Sequence, residues 1–190
     1  MKPVFKSREN KVHIIDGKEV WESRSNAICS VIFGIYENDI FVLSEKRSSN
    51  MPEGKGLWVV PSGYLNYDED GWDAMRRETY EETSFFVDKY KKYLMYDNDK
   101  EPFYTHTKPS ENRQNVAIWY CLLYDFSKSK LPKEIEKHKD KETDEVKWLS
   151  IKEISSYNWA FNHDERINQA FSMLISVGAL PNFFFIPSYC

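Results

Sequence analysis

The sequence lacks the features that mark several large classes of protein. Its three cysteines, Cys29, Cys121 and Cys190, are far apart and show no metal-ligand spacing, so we expect free thiols in a reducing compartment. The first residues contain no hydrophobic signal core, and no apolar run is long enough to span a membrane. We therefore expect a cytoplasmic protein that has no membrane partner.

The chain also lacks a net positive charge. The net charge is −4, and the lysines are scattered, so the sequence predicts no nucleic-acid partner. What the chain does have is apolar content: 41% of its 190 residues are hydrophobic and 16% are aromatic. This composition is enough for the packed core of one domain of ordinary size.

Three glutamates cluster in one short stretch, Arg77-Glu78-Thr79-Tyr80-Glu81-Glu82. A helix turns by about 100° per residue, so acids at positions i, i+3 and i+4 share one face. Each pair of like charges there costs a few tenths of a kcal/mol. A divalent cation is the usual way to offset such repulsion, because hard oxygen ligands suit Mg²⁺ or Mn²⁺. The stretch therefore predicts a helix that carries a metal site.

The spacing around this cluster follows a longer pattern. The pattern begins at Gly63, which is followed after five residues by Glu69 and after seven more by Arg77-Glu78. Two residues separate this pair from Glu81-Glu82, and two more separate Glu81-Glu82 from Phe85. This pattern resembles the Nudix box, and the chain is identified as a member of the Nudix hydrolases. The resemblance implies a Nudix-type α/β/α sandwich, of the α/β (α+β) class, with a mixed sheet. We assign residues 1–24 to an N-terminal extension and residues 25–190 to a single Nudix domain.

The resemblance also implies roles for the residues of the box. Glu78 and Glu82 are expected to bind Mg²⁺ or Mn²⁺ directly, together with a backbone carbonyl from the turn at Gly63. Glu81 either completes the metal set or holds the attacking water. Arg77 is expected to pair with Glu69 and to fix the preceding loop rather than touch the substrate. The predicted catalytic residues are Glu81, Glu82 and Arg77, and crowding of the acids favours one of them as general base.

Two positions of the box are atypical. Thr79 replaces an aliphatic residue, and with Trp72 and Met75 it is expected to form the buried stripe of the helix, where its hydroxyl needs a partner. Ser84 replaces a glycine at the end of the helix. Helix ends often need a left-handed residue, which costs serine roughly 1 kcal/mol. We therefore expect a strained or differently built helix end.

Apolar runs predict the rest of the fold. Residues 27–36 and 115–126 are expected to be neighbouring central strands, residues 86–96 an interrupted strand, and residues 97–114 a long polar loop. The pattern of residues 164–177 predicts a helix with an apolar face formed by Ile167, Ala170, Phe171, Leu174 and Ile175. Asp16-Gly17 predicts an N-terminal β-hairpin, which we interpret as a platform beside the main domain or as a contact in a homodimer.

Substrate-binding candidates lie outside the box. Arg47 follows a predicted strand, where it can grip a phosphate. Asn162 and His163 precede the last helix, where they either cap it or face a nucleoside. Two further sets complete the candidates. His106, Lys108 and Arg113 are candidate phosphate contacts, and by resemblance one of Glu142, Asp144 and Glu145 joins the metal or acts as base.

The predicted function is metal-dependent hydrolysis of a diphosphate linkage. The substrate is expected to be a nucleoside diphosphate linked to another moiety, such as ADP-ribose, a nucleotide sugar or a related dinucleotide. One alternative is a pyrophosphatase that removes oxidised nucleoside triphosphates, and another is a Nudix module that senses its ligand without hydrolysing it. RNA decapping, a further alternative, predicts a basic patch that the sequence does not show.

Overall fold

The computed structural model describes residues 11–22, 25–109, 115–132 and 142–180. Strands β1 (Val12–Ile15) and β2 (Lys18–Trp21) form the predicted antiparallel hairpin as a separate two-stranded sheet. Its turn residues, Asp16 and Gly17, have φ angles of 50° and 76°, the left-handed conformation that a tight two-residue turn requires. Arg113, Cys190 and the aromatic tail at 181–190 lie outside the described residues.

A mixed sheet forms the main body of the chain. Its strands are β3 (Asn26–Tyr36), β4 (Asp39–Arg47), β5 (Trp58–Val59), β6 (Ser62–Tyr64), β7 (Leu94–Tyr96), β8 (Tyr104–His106), β9 (Val116–Asp125) and β10 (Thr143–Ser150). The main order is β10-β4-β3-β9-β7, and the short strands β5, β6 and β8 pair with β4, β3 and β9. The two central strands, β3 and β9, run parallel, which confirms their predicted pairing.

One helix covers each face of the sheet. Helix α1 (Gly71–Thr83) packs Ala74 and Met75 against Ile28, Leu43 and other buried residues of one face. Helix α2 (His163–Ser176) packs on the other face through three buried side chains, Ile167, Ala170 and Leu174. These layers confirm the predicted α/β/α sandwich. Among the described residues, no helix has the length and apolar character needed to cross a membrane.

Several local predictions are wrong. The strand predicted at 86–96 is interrupted as expected, but the interruption is a 3₁₀ helix, Val87–Tyr93, that leaves only β7 extended. The predicted loop at 97–114 contains a 3₁₀ turn, Asn98–Lys100, and strand β8, which pairs with β9. Both errors have one cause, because short elements are stabilised by tertiary contacts rather than by local pattern. Ile175, predicted on the apolar face of α2, is 39% exposed.

Helix α1 is capped at its start, and most of its predicted apolar stripe is buried. Asp70 caps it, because its carboxylate accepts the backbone N–H of Asp73 at 2.8 Å. Met75 and Thr79 are buried, whereas Trp72 is half-buried. The hydroxyl of Thr79 has the partner it needs, since it lies 2.9 Å from the hydroxyl of Ser30 on β3. Thr79 and Ser30 therefore satisfy each other's hydroxyl groups in the buried layer between α1 and β3.

Ser84 ends α1 in the left-handed conformation, with φ 58° and ψ 8°. Replacing it with glycine (Ser84→Gly) is expected to raise the free energy of unfolding by about 0.5–1 kcal/mol, because glycine has no side chain to strain there. Urea unfolding of both proteins, followed by circular dichroism, measures the difference. A clear loss of stability in Ser84→Gly would contradict this account of the helix end.

Candidate active site

Arg77 is the centre of an ion-pair network on α1. Its Nε and Nη2 donate to the two carboxylate oxygens of Glu69 at 3.0 and 2.6 Å, and Nη2 also donates to the Tyr64 carbonyl at 3.0 Å. Its Nη1 donates to Glu78 at 2.7 Å and to Glu81 at 2.9 Å. The predicted pairing with Glu69 is present, and Arg77 holds the pKa of Glu69 below its ordinary value. In this structure the repulsion between Glu78 and Glu81 is thus offset by a guanidinium.

Glu78 lies against the backbone of Gly63. A β-carbon built on Gly63 would lie 2.1 Å from the carboxyl carbon of Glu78, which is far inside van der Waals contact. Partial burial raises the pKa of Glu78, although the adjacent Arg77 acts in the opposite direction. The glycine of the box is therefore needed so that strand β6 and the first acid of the cluster can approach each other.

Replacing Gly63 with alanine (Gly63→Ala) is expected to lower turnover about tenfold or more, since the methyl group displaces the Glu78 carboxylate. The fold should persist, because the φ of Gly63 is not positive and a glutamate side chain can swing aside. Steady-state kinetics and thermal unfolding check both statements. Combined with Glu78→Ala, Gly63→Ala should have no further effect on turnover; a full additional loss would show that Gly63 acts independently of Glu78.

Glu82 is the buried acid of the cluster. It is 7% exposed, and its Oε2 accepts the backbone N–H of Ser62 at 2.7 Å. Burial and the nearby charges of Glu45 and Glu78 raise the pKa of Glu82 well above its ordinary value, and the nearby charge of Arg47 acts in the opposite direction. The site therefore holds a carboxylate whose ionised form needs a cation.

Glu45 is a buried acid that sequence reasoning missed. It lies on β4 and is 2% exposed, and its Oε2 accepts the Thr143 hydroxyl at 2.7 Å. Side chains of a strand alternate between faces, so Glu45 shares its face with Leu43, which packs beside α1. That alternation is the pattern by which the sequence could have placed Glu45 near the acid cluster.

The acids that the resemblance suggested at the start of β10 face elsewhere. Glu142 and Asp144 are exposed, and the carboxylate of Glu145 pairs with Lys147 on the same strand. Between them, Thr143 is buried and contacts Glu45. In the described structure the acid next to Glu82 outside the box comes from β4, not from these three residues.

Arg47 lies between the acid cluster and an exposed aromatic ring. Its Nε donates to the Glu53 carbonyl at 3.0 Å, and its guanidinium carbon is 5.3 Å from the centre of the Phe161 ring. Phe161 is 50% exposed and, like Asn162, it has a positive φ, 58° and 57° respectively. Such strain costs roughly 1 kcal/mol per residue and is found most often at functional sites.

Asn162 and His163 do not cap α2. Asn162 stands at the cap position with an exposed side chain that makes no capping hydrogen bond. His163 is buried, and its Nδ1 accepts the backbone N–H of Val60 at 3.1 Å. Burial and nearby Arg47 lower the pKa of His163 to about 3, so the imidazole is neutral and protonated on Nε2 at neutral pH.

The remaining candidates are dispersed. His106 lies on β8 beside Tyr104, and Lys108 is exposed two residues after the end of that strand. Cys29 and Cys121 are free, as predicted, and both are buried, which raises the pKa of both thiols. Neither thiol is therefore set up as a nucleophile at neutral pH.

The donor set suits a hard divalent cation in its chemistry. Glu82, Glu78, Glu81 and Glu45 offer carboxylate oxygens, and the turn at Ser62-Gly63 adds backbone carbonyls. Within the described ranges, however, no three His, Cys, Asp or Glu side chains converge closely enough to hold an ion together. Arg77 engages Glu78 and Glu81 instead. The residues fit a cation if at least one of these two acids turns from Arg77.

Comparison with known proteins places this arrangement in a family. The model of the NUDIX domain matches residues 26–170. None of the curated proteins compared with the chain matches its sequence. Several solved structures share its fold.

The NUDIX domain of Shewanella oneidensis NrtR, solved in complex with ADP ribose, is 22% identical, with a TM-score of 0.58 and coverage of 80% of this chain and 90% of that chain. A C. elegans Ap4A hydrolase, solved as a binary complex, is 18% identical, with a TM-score of 0.59 and coverage of 80% and 98%. A mutT/nudix family protein from Listeria innocua is 21% identical, with a TM-score of 0.62 and coverage of 84% and 100%. The family model covers the main sheet, the whole of α1 with its acid cluster, and the start of α2. The chain therefore belongs to the Nudix hydrolase family.

Proposed function

We propose that the chain hydrolyses, with Mg²⁺ or Mn²⁺, the diphosphate linkage of a nucleoside diphosphate joined to another moiety, of the ADP-ribose or nucleotide-sugar type. The observation that carries this proposal is the buried Glu82 carboxylate. It is fixed by the backbone of Ser62 and surrounded by further acids, an arrangement that costs stability unless a cation neutralises it. When bound, a divalent cation supplies charge neutralisation at the phosphates and activation of water.

The chain's own groups would then orient the reaction. Glu78 and Glu82 are the proposed metal ligands, with a carbonyl of the turn at Gly63. Glu81, which is exposed, is the proposed holder of the attacking water. Arg77 joins Glu78 and Glu81 to Glu69 and to the Tyr64 carbonyl through five hydrogen bonds. The proposed role of Arg77 is structural, because all five hydrogen bonds are made to other groups of the protein.

Arg47, Phe161 and Asn162 form the proposed substrate contact. The guanidinium of Arg47 is placed to receive a phosphate oxygen, while half of the Phe161 ring is open to stack on a nucleobase. Asn162 is exposed beside that ring and offers hydrogen bonds. His163 accepts a hydrogen bond from the backbone N–H of Val60 and so anchors the segment that carries Phe161 and Asn162.

Replacing Phe161 with alanine (Phe161→Ala) is expected to raise KM for the nucleotide about tenfold with little change in kcat, because base stacking is lost before the reacting atoms are touched. Phe86→Ala is the matched control, since Phe86 is 46% exposed but packs on Tyr80. Steady-state kinetics of both variants decide the matter. Equal KM values in Phe161→Ala and the unaltered protein would remove Phe161 from the substrate site.

A substrate panel tests the proposed function itself. ADP-ribose, a nucleotide sugar, a dinucleoside polyphosphate and nucleoside triphosphates are each incubated with Mg²⁺ or Mn²⁺, and products are identified by mass. AMP and ribose phosphate from ADP-ribose are the expected products. A nucleoside monophosphate and pyrophosphate from a triphosphate would instead identify the sanitising activity.

A second function is ligand sensing without hydrolysis, which would also involve binding of a nucleotide such as the ADP ribose in the complex of the Shewanella oneidensis NrtR NUDIX domain. The panel separates it from catalysis. Tight binding of ADP-ribose, measured by calorimetry, with no turnover of any panel member in either metal would establish the sensing function and overturn the proposed hydrolysis.

A further inference from the structure

A cavity of about 690 Å³ lies beside the start of α1, and none of the three glutamates of the box lines it. Its walls come from the first residues of α1, from the 3₁₀ helix before β7, from the turn at Asn98–Lys100 and from β9. These segments belong to three separate parts of the chain. The cavity is therefore a product of the fold that no local sequence pattern indicates.

The walls of this cavity carry an excess of negative charge. Among the described residues that line it, six are acids, namely Asp70, Asp73, Asp88, Asp97, Asp99 and Glu101. Three are bases, namely Arg76, Lys91 and Lys100. Arg76 is already paired with Asp73 and Asp88. Because the acids outnumber the bases by three, the cavity favours a ligand of positive charge.

The spacing of the acids selects the shape of that ligand. Within the described ranges, no three His, Cys, Asp or Glu side chains lie close enough together to hold one metal ion. A compact cation would therefore meet too few oxygen ligands in this cavity. An extended organic cation can pair with separated carboxylates one at a time, while its methylene groups contact apolar walls such as Val87 and Leu94.

The hydroxyl of Tyr120 is an observation independent of the charge. Tyr120 is only 5% exposed, and its hydroxyl oxygen lies over Gly71, where a β-carbon would be 2.3 Å away from it. Both residues line the cavity. No hydrogen bond joins this hydroxyl to a residue that the structure describes. Since a buried hydroxyl without a partner costs stability, this one is placed to receive a ligand.

The surroundings of the Tyr120 hydroxyl match an ammonium group. Burial, together with the nearby charges of Asp70 and Glu101, raises the pKa of Tyr120. An alkylammonium has three N–H donors, and two carboxylates and one hydroxyl oxygen offer it three acceptors. The Trp72 ring packs against Tyr120, with ring centres 5.9 Å apart. The ammonium of Lys100 already lies 5.9 Å from the centre of the Trp72 ring, so this ring accepts an alkylammonium at its face.

We propose that this cavity binds a linear organic polyamine. One ammonium group is held by Tyr120, Asp70 and Glu101, and the methylene chain runs along Trp72. Further ammonium groups pair with the acids around the turn at Asn98–Lys100. The site is separate from the proposed hydrolysis, because no member of the acid cluster of α1 lines the cavity.

Isothermal titration calorimetry of the full chain with spermidine, in metal-free buffer, tests this inference. Glu101→Gln and Tyr120→Phe are each expected to weaken spermidine binding about three- to tenfold, because each alters one acceptor of the ammonium group. Glu153→Gln and Tyr93→Phe are the matched controls. Glu153 is exposed, Tyr93 donates its hydroxyl to Ser129 at 3.2 Å, and neither lines the cavity. Both controls should bind spermidine within about twofold of the unaltered protein.

Three results would each overturn the inference. One is no binding of spermidine to the unaltered protein at millimolar concentrations. Another is unchanged affinity in both Glu101→Gln and Tyr120→Phe. The third is an equal loss of affinity in Glu101→Gln and Glu153→Gln, which would show a general attraction to an acidic chain rather than a site. Because Glu101 is exposed, its replacement preserves the fold, and the test holds even where Tyr120→Phe is unstable.

Discussion

Replacing Glu82 with glutamine (Glu82→Gln) is expected to lower turnover by about two orders of magnitude or more while making the metal-free protein more stable. Glutamine keeps an oxygen that accepts the Ser62 N–H, so the local geometry persists. Its amide can donate towards the Glu45 carboxylate instead of repelling it. The substitution removes a negative charge that the cation needs, and a preorganised charge of this kind is commonly worth a factor of about 10² or more in turnover.

The gain in stability follows from the raised pKa of Glu82. Because its pKa in the folded state lies above the ordinary value of 4.5, the folded state binds the proton more tightly than the unfolded state does. The stabilisation from that proton is complete below about pH 4.5 and is lost as pH rises through the raised pKa. At neutral pH the metal-free protein therefore keeps a buried carboxylate at a cost that glutamine avoids, and we expect Glu82→Gln to gain about 1–2 kcal/mol.

Urea unfolding in the presence of a chelator, from pH 5 to pH 8, measures this difference. The free energy of unfolding of the unaltered protein should fall relative to that of Glu82→Gln as pH rises. Glu153→Gln, the same chemical change at an exposed position, should alter neither turnover nor the pH profile. Full activity in Glu82→Gln would refute the metal assignment; unchanged stability would mean that the Glu82 carboxylate is already neutralised in the folded protein.

The predictable part of this fold is the part with strong periodicity or a fixed spacing. The apolar runs around Ile32 and Leu122 could be assigned to central strands because short runs that are apolar throughout and rich in β-branched or aromatic residues are typical of strands covered on both faces. Helix α1 could be recognised because an apolar stripe, three acids of matched spacing and the expected end at Ser84 all indicate the same helix. The requirement for a hydroxyl partner at Thr79 followed from burial alone.

The unpredictable part depends on contacts between distant segments. Strand alternation puts Glu45 on the same face as Leu43, but nothing local shows that this end of the face is buried. Its hydrogen-bond partner, Thr143, is 98 residues away in the sequence. Strand β8 exists because β9 offers an edge, not because Tyr104–His106 has a strand pattern of its own. For the same reason His163 suggested a cap or a nucleoside contact, whereas its ring nitrogen accepts a backbone N–H of Val60, 103 residues away.

Arg77→Lys is expected to lower turnover about ten- to hundredfold and the free energy of unfolding by about 1–2 kcal/mol, although the positive charge is retained. Two guanidinium nitrogens, Nε and Nη2, donate to Glu69, and Nη2 also donates to the Tyr64 carbonyl. The third nitrogen, Nη1, donates to Glu78 and Glu81. A lysine ammonium is a single point that cannot make these contacts at once. The carboxylates it releases are free to repel one another and to lose the positions that metal binding requires.

Arg76→Lys is the matched control for this substitution. Arg76 is the preceding residue of α1 and pairs with Asp73 and Asp88, neither of which belongs to the acid cluster. It should lose stability but keep its turnover, whereas Arg77→Lys should lose both. Because Arg77 lowers the pKa of Glu69, its stabilisation is present above about pH 4.5 and is lost as pH falls through the lowered pKa. The stability deficit of Arg77→Lys should therefore shrink in acid. Equal losses of turnover in the two variants would show that Arg77 acts on the helix as a whole, and not on the acids that carry the chemistry.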